Sequence, residues 1–316
     1  MFKMIGIMEN KVCIDGIWYM LNEEKNEAWV TYSDDEEEKY QGEVVIPDRV
    51  EYEDKKYDVK GISGAFSGCG SLTSVTIPKS VTFIGNGDFW GCSNLMSIIV
   101  AEDNPIYDSR NGCNAIIETK ENSLYIGCAT TIIPEGVTSI EYGSFCGCGI
   151  KSITIPKSVT EIRTEVFYEC ENLTSIVVAE GNPKFDSRNG CNAIIDTKTN
   201  TLAVGCATTI IPESVTSIED WAFEACVSLT SITIPASITK IGRGVFASCR
   251  NLRDIYCHNF SIDWLEAFDE SLIGDITLHV PKHVLGENNL ISCNKCVNNS
   301  ESPLSAFKNI VALEAK

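Results

Sequence analysis

Histidine is nearly missing from this chain: there are three in 316 residues, all of them after residue 257. Serine, threonine and cysteine nucleophiles depend on a neighbouring base, so most of the sequence has no ready general base for such chemistry. Basic residues are also in deficit, 25 Lys and Arg against 44 Asp and Glu, which gives a formal net charge of -19. A field of that sign repels phosphate backbones and anionic lipid heads, so nucleic acid is not an expected partner. No window reaches the roughly 18 uninterrupted apolar residues of a membrane span, and membrane insertion is not expected. The opening, Met1 to Lys11, offers only Met4, Ile5, Ile7 and Met8 before Glu9 interrupts, which falls short of an export signal or anchor. What is present is ordinary for a folded protein: 44% hydrophobic and 22% charged residues. A chain of this length buries roughly three quarters of its unfolded surface, which excludes disorder and any need for staples.

Cysteine is plentiful and odd in number, 15 in all, so the thiols cannot all pair within one chain. Their placement is regular. Six times a cysteine follows a phenylalanine by three residues: Phe66 and Cys69, Phe89 and Cys92, Phe145 and Cys148, Phe167 and Cys170, Phe223 and Cys226, Phe246 and Cys249. Such recurrence marks a stacked array. A second phrase, an Ile-Pro strand end, recurs at Pro78, Pro134, Pro156, Pro212 and Pro235, with intervals of 56, 22, 56 and 23. The two long intervals are copies: Ile99 to Glu135 and Val177 to Glu213 agree at 28 of 37 positions.

The short interval is one coil of a solenoid. In its strand part, Leu72-x-x-Val75-x-Ile77, side chains alternate with period two. Leu72, Val75, Ile77, Val81, Ile84, Phe89 and Cys92 are expected to point inward, and Pro78, lacking a donor, to end the strand. No coil buries its own apolar edge, so each depends on its neighbours, and stability is a sum of nearest-neighbour terms. The long interval adds a hairpin, Ala115 to Ile117 against Leu124 to Ile126, copied at Ala193 to Ile195 and Leu202 to Val204. The expected fold class is mostly β with short helical turns, an α/β solenoid with hairpin insertions. Three regions follow: an amino-terminal cap with a hairpin over 1–60, the solenoid over 61–257 with hairpin-bearing coils near 99–131 and 177–209, and a carboxy-terminal cap over 258–316.

The phrase SLTSVTIPKSVTFIGNGDFWGC, with its variants, resembles the BspA-like leucine-rich repeat. The opening VCIDGIWYMLNEEKNEAWVTY and VVIPDRVEYEDKKYDVKGISGAF resemble the first cap and coil of such proteins from Bacteroides-type bacteria, and ITLHVPKHV with FKNIVALE resembles their last cap. The resemblance implies a right-handed solenoid with a parallel sheet on one face, carried on the cell surface or secreted, in a family that includes adhesins for host proteins.

The outward strand positions are the candidate binding residues. The first reads Ser74, Ser97, Ser152, Ser175 and Ser231 before changing to Asp254; the second reads Thr76, Ile99, Thr154, Val177, Thr233 and Tyr256. Small and β-branched residues also simply suit a stacked pleat. Exposed aromatics would strengthen a binding role, the candidates being Trp90, Tyr107, Tyr125, Tyr142, Tyr168, Trp221 and Trp264. The repeated cysteines are expected to be reduced, buried thiols acting as small hydrophobes. Arg110 and Arg188, in the twice-used DSRNG, are expected to serve the coil turn, with presentation of a regular charge to a ligand as the alternative. His279-x3-His283 with Cys293-x2-Cys296 has zinc-like spacing, but Pro281 intervenes, and exposed histidines on an irregular loop are the default. Gly242-x-Gly244-x-x-Ala247 matches a dinucleotide fingerprint in letters and fails in context, because no full helix should follow. The acidic run Asp34 to Glu38 lacks the spacing of a calcium loop and suits a solvated hairpin turn.

Taken together, the residues point to a non-enzymatic monomer without cofactor or metal that binds a protein or glycan through an extended surface, and the resemblance implies that the partner includes host-derived molecules. A purely structural spacer or surface-assembly component is the alternative.

Overall fold

A computed structural model of the protein describes residues 10–35, 39–259, 262, 264, 266–268, 275–282, 307 and 309–313. The chain divides into two compact units, Met1–Ile150 with Glu161–Phe167, and Lys151–Thr160 with Tyr168–Lys316. Both have the expected mostly-β repeat architecture.

The first unit opens with an antiparallel hairpin, Asn10–Ile14 against Ile17–Asn22, followed by Glu27–Thr31. Asp15 and Gly16 close its turn at φ 50° and 81°, the left-handed pair that matches strand twist in a two-residue loop. Glu27–Thr31 then runs parallel to Lys55–Ile62, which also pairs with Arg49–Tyr52 and Phe83–Ile84. A separate parallel sheet joins Gly42–Val45, Leu72–Ile77 and Ser97–Val100. The strands on the two sides of the acidic run, Glu27–Thr31 and Gly42–Val45, take different partners and do not pair with each other as the arms of a hairpin. The described part of the run is solvated: Asp34 is 76% exposed and pairs with Lys11 at 2.6 Å.

The inward residues of the coil are where the alternation puts them. Leu72, Val75, Ile77 and Val81 are fully buried, with Ile84, Phe89 and Cys92 close behind. Pro78 follows directly on the last strand residue. The phenylalanines stack ring on ring, Tyr40 to Phe66 and Phe66 to Phe89 at centroid distances of 5.0 Å each, and Phe145 to Phe167 at 5.4 Å. Burying each ring contributes about 1.5–3 kcal/mol. The described cysteines form no disulfide among themselves, and Cys92 Sγ reaches the coil before it, donating to the Phe66 carbonyl at 3.1 Å.

In the second unit Ser152–Ile155 pairs in parallel with Ser175–Val178, and a four-stranded parallel ladder joins Ser231–Ile234, Asp254–Cys257, Thr277–Val280 and Asn309–Ala312. Its ring column runs Phe223 to Phe246 at 5.6 Å and on to Phe268 at 5.3 Å, a member that the Phe-x-x-Cys spacing does not announce. Cys249 Sγ donates to the Phe223 carbonyl at 3.0 Å, as Cys92 does to Phe66.

The duplicated intervals fold alike. Ala115–Glu118 with Ser123–Gly127, and Ile194–Asp196 with Thr201–Val204, are antiparallel hairpins whose register shifts at the same isoleucine pair. Each hairpin follows a short helical turn, Arg110–Gly112 or Arg188–Gly190, in which Asn111 and Asn189 both sit at φ 60°. No helix follows Gly242-x-Gly244, as its context required.

Candidate binding face

The outward positions of the parallel strands line up by register. In the first unit one column reads Glu43, Ser74 and Ser97, and its neighbour Val45, Thr76 and Ile99. In the second unit Ser152 faces Ser175, and Thr154 faces Val177. The four-stranded ladder has two outward columns of its own, Ser231, Asp254, Thr277, Asn309 and Thr233, Tyr256, His279, Val311. All nine residues singled out from the repeat frame (Ser74, Thr76, Ser97, Ser152, Thr154, Ser175, Ser231, Thr233 and Tyr256) sit at outward strand positions, none of them buried.

The aromatic candidates are a different case. None of the seven is exposed; Trp264 and Tyr107 are buried at 1% and 7%, and the others are half-buried. The reason is packing between coils. The Trp90 ring lies on Gly143, where a Cβ would come within 3.0 Å of it, and Trp221 covers Gly244 still more closely. Tyr107 stacks on Tyr125, whose hydroxyl donates to the Ile84 carbonyl at 2.9 Å. Trp264 is wedged against Phe268 and Phe307.

Aliphatic side chains take the exposed role instead. Among the described residues the exposed large apolar side chains are Tyr32, Val45, Phe83, Met96, Ile99, Ile132, Val177, Ile210 and Val311. Six of these nine, Val45, Ile99, Ile132, Val177, Ile210 and Val311, hold one repeat position, immediately before a residue that is buried in every case but Ala312; Ile132 and Ile210 hold it outside the strands. Ile132 and Ile210 are the most exposed, at 75% and 73%. Reading each long interval as a single hairpin-bearing coil hides them, although Ile132-Ile133-Pro134 and Ile210-Ile211-Pro212 carry the same phrase as Thr76-Ile77-Pro78. Their main chains are held by the helical turn of the same coil, Ile132 N donating to the Cys113 carbonyl at 3.1 Å and Ile210 N to that of Cys191 at 3.0 Å.

Charge is spent on local structure. Arg110 grips Asp108 through Nε and Nη2 and reaches Asn122 Oδ1 at 3.0 Å, and Arg188 treats Asp186 and Asn200 in the same way. Burial pushes the Asp108 carboxyl up, and the Arg110 hydrogen bonds more than offset this, leaving it below the ordinary carboxylate range. These arginines tie the turn and do not stand free.

Burial pushes Cys148, Cys226 and Cys257 up to about 12 and raises Cys92 as well, whereas a reactive cysteine needs the opposite shift. Among the described residues no group of three or more His, Cys, Asp or Glu is placed to hold a metal ion. His279 lies within 2.7 Å of Asp254 Oδ1 and stacks on Tyr256. The other weak metal candidates, His283, Cys293 and Cys296, lie outside the described residues. No helix among the described residues is long and apolar enough to cross a membrane.

The family model for the BspA type leucine rich repeat region, in six copies, matches residues 60–113, 117–197 and 203–310. Among solved structures the chain is similar to the pneumococcal vaccine antigen PcpA, with 16% identity and a TM-score of 0.50 over 86% of this chain and 82% of that one. A leucine rich cell surface protein from Faecalibacterium prausnitzii A2-165 aligns over 97% of this chain and 96% of its own, at 21% identity and a TM-score of 0.43. A leucine-rich repeat protein from Bacteroides ovatus aligns over 96% and 76%, at 23% identity and 0.40. No curated protein matches the chain.

Proposed function

Since this chain belongs to the BspA-type leucine-rich repeat family, we propose that it is a binding module without chemistry of its own, which recognises a protein or glycan through the outward columns of its parallel sheets. In this reading it works on the cell surface or outside the cell, with residues 1–60 and 258–316 closing the two ends of the array. The observation that carries the reading is the placement of exposed aliphatic side chains. Single exposed apolar residues are normal on any surface. Confinement of six of nine to one repeat position, beside a column of small hydroxyls, is not what scattered exposure produces. A rigid repeat scaffold displays such a pattern in register, and the aliphatic column, unlike its neighbour with Glu43 and Asp254, carries no carboxylate, which suits a neutral partner surface.

The test is capture of immobilised host matrix proteins and glycans by the purified chain, with Ile99→Asp, Val177→Asp and Ile210→Asp as variants. A buried charge at a contact weakens binding about tenfold or more, while positions this exposed leave the thermal midpoint unchanged. The reading fails when none of the three weakens capture, or when every variant that weakens it also melts earlier.

A further inference from the structure

In the four-stranded ladder of the second unit the outward columns change character. Ser231 and Thr233, both short and exposed, stand on Ser231–Ile234 beside Asp254 and Tyr256 of the next strand. The Tyr256 ring stacks on His279 with centroids 4.3 Å apart and planes within 17°. His279 is fixed in turn by its 2.7 Å contact with Asp254 Oδ1. One face of the Tyr256 ring is therefore covered by imidazole. The opposite face rises above Thr233, a side chain too short to cover it. The surface forms a step, with a floor of two hydroxyls about 7 Å apart along the strand and a riser of aromatic ring. At its foot is the carboxylate of Asp254, 38% exposed.

We propose that this step binds a neutral pyranose ring, an inference that rests on the binding reading above and names its chemistry. A sugar has an apolar C–H face suited to an aromatic face, and a hydroxyl rim suited to the Ser231 and Thr233 hydroxyls and to Asp254, whose Oδ2 is not the oxygen that meets His279. Asp254 and the net charge of -19 act against sialylated or uronic sugars. An extended peptide fits less well, since most of its main-chain groups would find no partner on a floor with two hydroxyls. His279 is a positioning residue, which holds the Tyr256 ring upright without touching the sugar.

Calorimetry and saturation-transfer NMR on the full chain test this with the methyl glycosides of glucose, galactose, mannose and N-acetylglucosamine, and with sialyllactose and a methyl glucuronide as anionic controls. At least one neutral glycoside binds, and the anionic sugars bind about tenfold more weakly or not at all. Thr233→Trp, which fills the floor, and Tyr256→Ala each weaken binding about tenfold, with the melting midpoint of Thr233→Trp unchanged. His279→Ala loses binding and His279→Phe, which restores the stack, recovers it. No binding by any neutral glycoside, or unchanged affinity in Thr233→Trp, overturns the proposal. Loss of protein capture in Ile99→Asp, together with silence in every sugar titration, would remove the step and leave the binding-module reading standing.

Discussion

Two residues beyond each phenylalanine the turn has glycine in the first unit and another residue in the second. Two residues after Phe66, Phe89 and Phe145 stand Gly68, Gly91 and Gly147, at φ 69°, 75° and 64°. At the same place after Phe167, Phe223 and Phe246 stand Glu169, Ala225 and Ser248, at φ 56°, 49° and 58°. The hydrogen bonds they serve are the same: Gly68 N donates to the Trp90 carbonyl, Gly91 N to that of Cys146 and Ala225 N to that of Ala247. The stacked ladder thus imposes the left-handed conformation whatever residue is present, and in the second unit side chains bear its cost. What differs is closeness. Gly91 approaches Gly147 so nearly that a Cβ on Gly147 would come within 2.7 Å of Gly91 Cα and N.

The largest expected effect lies in what the units share. Phe145→Ala and Phe246→Ala should each lower stability by about 3–5 kcal/mol in urea titrations, because both rings are buried and stacked on neighbours. A marked inequality between them would mean that the columns are not equivalent supports. Next, Gly147→Ala should cost about 2–4 kcal/mol, from left-handed strain and backbone overlap together. Retention of wild-type stability would refute the close approach.

A pH effect should separate the units further. Asp88 precedes Phe89 where Ala222 and Val245 precede Phe223 and Phe246, and it accepts main-chain bonds from Gly64 and Gly85. Burial pushes its carboxyl up to about 6, against those donors. Because the folded value lies above the unfolded value of 3.8, protonation favours the folded state. The added stability is present below about pH 4 and is lost as pH rises through about 6. Denaturant midpoints measured across that window should fall with rising pH in the wild type and lose this component in Asp88→Ala.

The smaller effects are a gain and a neutral change. Ala225→Gly should stabilise by about 0.5–1 kcal/mol, relief of strain exceeding the added chain entropy, and a loss in differential scanning calorimetry would show that the Ala225 methyl is needed for packing. Ile132→Asp should stay within about 0.5 kcal/mol of wild type, since the side chain is 75% exposed.

Much of this was legible in the residues. The Phe-x-x-Cys spacing located the ring column and thiols, period-two alternation separated inward from outward strand residues, and duplicated letters announced duplicated hairpins. Three features were not. Glu169, Ala225 and Ser248 hide a left-handed turn because local propensity names glycine there, and only the ladder between coils overrides it. The orientation of Trp90 and Trp221 depends on Gly143 and Gly244 a coil away, a pairing visible only once coils are stacked. Ile132 and Ile210 were masked by the hairpins inserted just before them, although their Ile-Pro phrases were in plain sight. At the candidate face, the frame located Asp254 and Tyr256, but nothing in the letters joined them to His279 on the adjacent strand.

The inter-coil thiol bonds have a practical consequence. With the sulfurs of Cys92 and Cys249 enclosed and committed to carbonyls of adjacent coils, an alkylating reagent reaches them only when those coils part, whereas Cys13 is exposed and reacts at once. Mass-resolved labelling over time therefore turns the buried sulfurs into clocks, each timing how often its own rung of the ladder comes undone.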